Sequence, residues 1–290
     1  MQNQLQQLAR RLLTEKKVEV VIGYGLMENN RVGAVFITDP DESVRLIWND
    51  RCTQNLVVYL TRQEVKKLGK AAVVVKGCDA KAVVVLANEG QIVRENVVVI
   101  GMVCNGVKDA DGISCARCEI CVDHAAANVD ELIGEESSVA SPALERAERF
   151  TKGKYEKLAK LRAMSADERL AWWKKELSRC VRCYACRQSC PLCYCNVCVA
   201  DKNRPIRIET SATLSGNFAW NILRAFHLAG RCVGCGACTA ACPVGIDLDL
   251  LNLTLAEAAE KNFGHIAGAE PGALPLIGTF SEEDKEDFIQ

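Results

Sequence analysis

Residues 179–191, RCVRCYACRQSCP, and residues 231–243, RCVGCGACTAACP, carry one spacing twice: Cys-x2-Cys-x2-Cys-x3-Cys-Pro. Two-residue spacers let one tight loop wrap three corners of a compact tetrahedron of thiolates, and the fourth corner comes from elsewhere. In two-cluster proteins with this pattern the fourth thiol is lent across the pair. The spacing therefore predicts two [4Fe-4S] clusters, one held by Cys180, Cys183, Cys186 and Cys242, the other by Cys232, Cys235, Cys238 and Cys190. Zinc is the competing reading. It favours two thiols from each of two knuckles, or thiols with histidine, whereas here three-thiol loops repeat and the histidines are only His124, His227 and His265.

The whole chain has 17 cysteines, an odd and clustered set. Its first residues, MQNQLQQLARRLL, are polar and amphipathic rather than an export signal, so a secreted disulfide scaffold fits badly and a reducing, cytoplasmic setting is expected. Lysine plus arginine number 36 against 37 aspartates and glutamates, which leaves no global field to draw nucleic acid or an acidic membrane face. Val97 to Val103 is among the longest apolar stretches, far short of the roughly 20 residues of a membrane helix, so membrane insertion is not expected.

Leu5, Leu8, Leu12 and Leu13 recur at helical spacing and predict an amphipathic N-terminal helix packed on the chain's own sheet. Strand patterns follow at VEVVIGYG (18–25), AVFIT (34–38), SVRLIW (43–48), AAVVVK (71–76) and NVVVIGMV (96–103), with helices near 54–68 and 79–88. GYG at 23–25, within the first of these patterns, is a weak glycine signal that is also compatible with a simple turn. The order strand, helix, strand argues for a parallel α/β sheet over residues 18–104. From about residue 142 the composition turns charged and helical. Ser141 precedes Pro142 at a first-turn position, and Ser165 with Glu168 forms a capping-box pattern. SGNFAWNILRAFHLAG gives one more helix between the two cysteine motifs, and the last stretch is rich in glycine and proline with an acidic end. The expected organisation is an α/β domain with a mainly parallel sheet (1–135), a helical connector (136–178), a two-cluster ferredoxin-like domain (179–262) and an extended tail (263–290).

Cys78 follows the strand AAVVVK and Cys104 ends NVVVIGMV. In a parallel sheet the carboxyl ends of the strands share one edge, and ligands collect there. CARCEICVDH follows with Cys115, Cys118 and Cys121, so these thiols predict a third site, the local reading taking Cys115, Cys118 and Cys121 with Cys104. Each of Cys78 and Cys104 taken alone reads as a small buried hydrophobe.

KGCDAKAVVVL, IGMVC and CEICVDHAAANVDELIGE resemble the F420-reducing hydrogenase and formate dehydrogenase beta-subunit family over about residues 70–135. The resemblance implies a third [4Fe-4S] cluster on Cys78, Cys104, Cys118 and Cys121, with Cys115 surplus. The stretch between the paired motifs resembles the all-helical ferredoxin module of the fumarate reductase iron-sulfur subunit and of the small heterodisulfide reductase subunit, which implies a helical two-cluster domain. Family members that handle F420 themselves carry a flavin on a longer domain, and no region of comparable length follows Cys121 here.

Cys52, Cys115, Cys193, Cys195 and Cys198 are left over. Cys52 reads as structural and Cys115 as surplus; CPLCYCNVC reads as shielding a cluster or unligated, the competing reading being a further metal site completed by a thiol from outside the run. Arg179, Arg182 and Arg187 stand among the first ligands, where guanidinium groups favour a reduced cluster, although ordinary surface charge is the competing reading. Trp172 and Trp173 read as core or a subunit contact. No nucleophile with a paired base appears.

The expected function is an iron-sulfur electron-transfer subunit of an anaerobic multi-subunit oxidoreductase, of the hydrogenase, formate dehydrogenase or heterodisulfide reductase kind. Three [4Fe-4S] clusters would relay single electrons to or from a flavin or catalytic partner subunit. The alternative is a subunit with its own FAD and hydride-transfer site, acting on F420H2 or NAD(P)H.

Overall fold

The computed structural model describes residues 1–28, 30–109, 111–119, 121, 123–135, 156, 158–202, 204–280 and 282. Short runs of β-branched residues bounded by turns form the strands: β1 (Val20–Leu26), β2 (Val32–Ile37), β3 (Ala71–Val75), β4 (Val97–Met102) and β5 (Glu131–Ile133). They line up as β2-β1-β3-β4-β5. β1, β3, β4 and β5 are parallel, while β2 pairs antiparallel with β1, Val21 opposite Ile37 and Leu26 opposite Val32. The sheet is therefore mixed and mostly parallel. Residues 27–31 are too few to carry a crossover, so β1 and β2 close as a hairpin. Helix α1 (Gln2–Thr14) buries the leucine stripe Leu5, Leu8, Leu12 and Leu13 expected from its periodicity.

Two expected elements differ. SVRLIW is not a strand: Pro40–Arg45 is a 3-10 helix, begun by Pro40 and capped by the Asp39 carboxylate accepting from the Asp41 N–H at 2.9 Å. The helix expected near 54–68 is two short pieces, a 3-10 turn at Leu56–Thr61 and α2 (Gln63–Lys66). Val57, Val58 and Thr61 are β-branched and weaken a long α-helix there. Gly23 and Gly25 lie inside β1, as the strand pattern at 18–25 predicts. A Cβ on Gly23 would stand 2.4 Å from Leu46 Cδ2, and one on Gly25 2.5 Å from Val35 Cγ1, so these glycines allow close approach of neighbouring chain.

Met1–Gly153 with Gly268–Ala273 make one compact unit, and Lys154–Ala267 with Leu274–Gln290 a second. In the first unit, α3 (Gly77–Asn88) leads from β3 to β4, and α4 (Ala116–Glu119) precedes β5. The named elements of the second unit are all helical: α5 (Ala166–Ser178), α6 (Ala185–Gln188), a 3-10 turn at Val199–Asp201, α7 (Leu214–His227), α8 (Ala237–Ala240) and α9 (Leu248–Phe263).

The capping box that starts α5 is present in both directions, Ser165 N–H to Glu168 Oε2 at 2.7 Å and Glu168 N–H to Ser165 Oγ at 3.3 Å. The start expected at Ser141 and Pro142 lies outside the described residues. Leu158, Leu161, Trp173, Leu177, Ile246, Leu248 and Leu250 form a core that also takes in Cys186 and Cys238. Trp172 meets Trp173 edge-on at 4.6 Å and packs against the same core. Among the described residues, no helix is long and apolar enough to cross a membrane.

Candidate metal centres

The sheet edge comes first. Val75 pairs with Gly101, so the carboxyl ends of β3 and β4 are neighbours, with Cys78 in the first turn of α3 and Cys104 just past β4. Gly77 lets a distant segment close over this edge, because a Cβ there would fall 2.0 Å from the Asp123 carbonyl oxygen. Lys81 Nζ then holds Asp123 Oδ2 at 2.8 Å. His124 ties the same segment to both thiol positions, its Nδ1 lying 2.7 Å from the Cys104 carbonyl and its Nε2 3.1 Å from that of Cys121. The Val107 N–H points at Cys118 Sγ, at 3.4 Å.

Electrostatics links three of these thiols, Cys104, Cys118 and Cys121. Burial raises Cys104, and Cys118 adds to the rise; burial pushes Cys121 up to about 12, with Asp123, Cys118 and Cys104 adding to it. Cys115 is less enclosed, hydrogen-bonds through its N–H to the Val107 carbonyl, and is raised by burial with Cys118 as its thiol neighbour. Beneath the edge, Lys76 is buried against Asp79 Oδ2 at 2.6 Å, the Tyr24 hydroxyl at 2.7 Å and the carbonyls of Cys52 and Gln54. Burial pulls Lys76 down, but Asp79, Tyr24 and Cys78 outweigh it and keep the ammonium charged. Cys52 is wholly buried, and its thiol rises to about 11 by desolvation. It sits in the wall of this charged pocket and takes the Asn49 N–H at 3.4 Å.

The two motifs of the second unit fold alike. In the first loop Arg182 and Tyr184 take left-handed backbone, φ 56° and 58°; in the second, Gly234 and Gly236 do so at φ 68° and 67°. These are the same places in the motif, two and four residues after the first cysteine. Each loop then enters one helical turn, α6 or α8, that carries its third thiol. Alternation of left- and right-handed residues turns successive N–H groups into a concave nest suited to an anion, including Fe–S groups.

Cysteines of different loops also act on one another electrostatically. Burial raises Cys186, and Cys180, Cys242 and Cys183 add to the rise. Desolvation raises Cys232, with Cys235 and Cys190 adding to it, and raises Cys238, with Asp249, Cys190 and Cys232 adding to it. Cys242 Sγ accepts the Ile246 N–H at 3.4 Å, and Cys238 Sγ accepts from Asn252 Nδ2 at 3.7 Å. Each thiol must lose its proton before it can ligate, so buried thiols held high make assembly proton-releasing.

Helix α7 supplies what the sequence reading did not find. Asn217, Asn221 and Arg224 are buried on its inner face. Asn217 Nδ2 donates to the Cys180 carbonyl at 2.7 Å, Asn221 Nδ2 to the Asn217 carbonyl at 2.8 Å, and an Arg224 terminal N–H to the Cys186 carbonyl at 3.1 Å. The signal was the spacing i, i+4, i+7 of three polar residues on an amphipathic helix. Of the arginines singled out from sequence, Arg182 is buried, donating to the Gly216 and Glu209 carbonyls and lying over the rings of Tyr184 and Trp220. Arg179 pairs with Glu176 and bonds the Val244 carbonyl, and Arg187 pairs with Asp201 at 2.6 Å.

Cys193, Cys195 and Cys198 line a cavity of about 280 Å³ with Leu192, Trp220 and Arg224. Cys193 hydrogen-bonds Cys190, which raises Cys190 and lowers Cys193, Arg224 helping the latter. Among the described residues, no three His, Cys, Asp or Glu side chains converge on a point fit for a single metal ion. A cubane asks for something else: soft thiolates at the corners of a cage, with N–H donors around it. The duplicated nests and the thiols gathered about them fit that group.

A family model described as a 4Fe-4S dicluster domain matches residues 176–246, both loops and α7 included. The chain is 33% identical over 106 residues to the F420-dependent formate dehydrogenase subunit beta of Methanocaldococcus jannaschii, a match covering 36% of this chain and 27% of that protein. It is 23% identical over 330 aligned positions to the F420-dependent formate dehydrogenase 1 subunit beta of Methanococcus maripaludis, covering 84% of each. The chain thus matches about a quarter of the first relative's length and most of the second's. The chain is thus similar, over part of its length, to formate dehydrogenase beta subunits, and its duplicated loops lie within a match to a 4Fe-4S dicluster domain.

Proposed function

We propose that this chain is the electron-transfer subunit of an anaerobic, cytoplasmic multi-subunit oxidoreductase, relaying single electrons through three [4Fe-4S] clusters. In the second unit, Cys180, Cys183, Cys186 and Cys242 hold one cluster and Cys232, Cys235, Cys238 and Cys190 the other. Cys78, Cys104, Cys118 and Cys121 hold the third, at the sheet edge. A bound cubane supplies one-electron redox chemistry. The chain's own residues supply thiolates, nests of N–H donors and a largely dry surrounding, which together set how readily an electron is accepted. The observation that carries this reading is the repeated left-handed pair in both loops, supported by the electrostatic action of Cys242 on Cys186 and of Cys190 on Cys232. The relatives are named as beta subunits, which supports work inside a complex with a flavin-bearing or catalytic partner.

Iron and acid-labile sulfide analysis, with electron paramagnetic resonance on anaerobically reduced protein, tests the proposal. About twelve irons per chain support three clusters, and about eight remove the one at the sheet edge, on four irons per cubane. Zinc without sulfide would overturn the reading. Because the relatives are named as F420-dependent, a second outcome is read in the same sample. A flavin chromophore, with oxidation of F420H2 or NAD(P)H by the isolated chain, would make the subunit an oxidoreductase with its own FAD.

A further inference from the structure

Arg224 is buried, 4% exposed, in the module that the proposed function assigns to two clusters, and this inference rests on that assignment. Among the described residues no carboxylate forms an ion pair with it. The groups that act on it most strongly are thiols: Cys190, Cys193, Cys238 and Cys186. Cys186 belongs to one proposed ligand set, Cys190 and Cys238 to the other, and Cys193, which Arg224 also hydrogen-bonds, to neither. One terminal N–H of the guanidinium is spent on the Cys186 carbonyl, and the buried Nε has no hydrogen-bond partner.

A guanidinium taken out of water without an anion costs several kcal/mol, and arginine cannot escape by giving up its proton. Retaining one here requires negative charge nearby that is present in the working molecule. Four-thiolate cubanes carry such charge, and gain one more negative charge on reduction. Arg224, buried and bonded to the carbonyl of one ligand, also acts electrostatically on ligands of the other set, so one cation is available to both.

We propose that Arg224 is the shared counter-cation of the two module clusters and sets both of their reduction potentials. It raises each by stabilising the extra electron.

The test uses the full chain purified without oxygen. Arg224→Met, Arg224→Gln and Arg224→Lys are compared with the unaltered protein by iron and sulfide content and by redox titration followed by electron paramagnetic resonance. Both module midpoints should fall in the neutral variants, the sheet-edge midpoint should stay, and Arg224→Lys should lie between. A loaded neutral variant with unaltered midpoints, or with one shifted midpoint only, overturns the proposal. Should neither neutral variant load the module while Arg224→Lys does, a loss of about eight irons per chain supports a shared counter-cation and a loss of about four overturns it, on four irons per cubane. Failure of all three variants to load also overturns it, since charge would then not be the requirement. An unaltered chain without inorganic sulfide would instead refute the cluster assignment itself.

Discussion

The two cysteine loops share a spacing and a backbone but are held by different means. In the loop at 232–238 the left-handed positions are Gly234 and Gly236, which reach positive φ without a Cβ penalty. In the loop at 180–186 the same positions are Arg182 and Tyr184, each strained by about 1 to 2 kcal/mol in that region. What offsets the strain is visible. Arg182 reaches back to the carbonyls of Glu209 and Gly216 and lies over Tyr184 and Trp220, while Tyr184 meets Trp220 edge-on at 5.1 Å. One loop is shaped by permissive residues and the other by tertiary contacts with α7. The same nest can therefore be written in two ways, and only one of them depends on the rest of the module.

The largest expected effect tests whether the loops are interdependent at all. On the proposed ligand sets, Cys242→Ser empties the site of the 180–186 loop and Cys190→Ser that of the 232–238 loop. Each substitution lowers iron by about four per chain, on four irons per cubane. The readout is which cluster's resonance is lost. If Cys242→Ser removes the signal that Cys232→Ser removes, each motif closes its own cage and the crossed arrangement fails. Serine at Cys195 or Cys198, which line the cavity beside Cys190's neighbour Cys193, should leave the iron count unchanged.

The duplicated loops were legible because thiol spacing is a local property, fixed by the few residues between one ligand and the next. The leucine stripe of α1 and the Ser165 capping box were legible for the same reason. The antiparallel placing of β2 was not, since a strand pattern does not record direction; the short link 27–31 does. β5, three residues long, offers too little pattern to find, although its ELI lies inside a stretch that resembled a known family. Arg224, Asn217 and Asn221 were missed for a physical reason. On an amphipathic helix polar residues normally face water. Here all three are buried, Asn217 and Arg224 against the thiol loops, and nothing in α7 itself states that the interior is polar. The sheet-edge site stands between these cases. Cys78 and Cys104 could be placed on one edge from strand order, but the Gly77 gap that admits the Asp123 backbone could not.

The next effect sharpens the difference in how the loops are held. Arg182→Ala removes two charge-assisted hydrogen bonds and leaves the left-handed strain in place, so it should cost about 3 kcal/mol. Arg182→Gly loses the same contacts but relieves the strain, and should be less damaging than alanine by about 1 kcal/mol. Gly234→Ala adds only strain, about 1 kcal/mol, because the nearest neighbour to a new Cβ is Leu253 Cδ2 at an ordinary 3.9 Å. Denaturant unfolding of the loaded chain under anaerobic conditions measures all three. A cost near zero for Arg182→Ala would show that the contacts to Gly216, Glu209 and Trp220 contribute nothing to the first loop.

The smallest effect is the most discriminating, because two terms of similar size oppose each other. Tyr184→Gly relieves about 1 kcal/mol of left-handed strain and forfeits an edge-on ring contact with Trp220 worth about 0.5 to 1.5 kcal/mol. It also uncovers one face of the Arg182 guanidinium. Unfolding free energy should therefore change by less than about 1 kcal/mol, the two terms nearly cancelling. Adding Trp220→Ala separates them. With the ring partner gone, Tyr184 keeps its strain without the compensating contact, and Tyr184→Gly should then stabilise the chain. If it destabilises in both backgrounds, Tyr184 is held by something other than Trp220, and the contrast between a permissive loop and a braced one must be redrawn around that other contact.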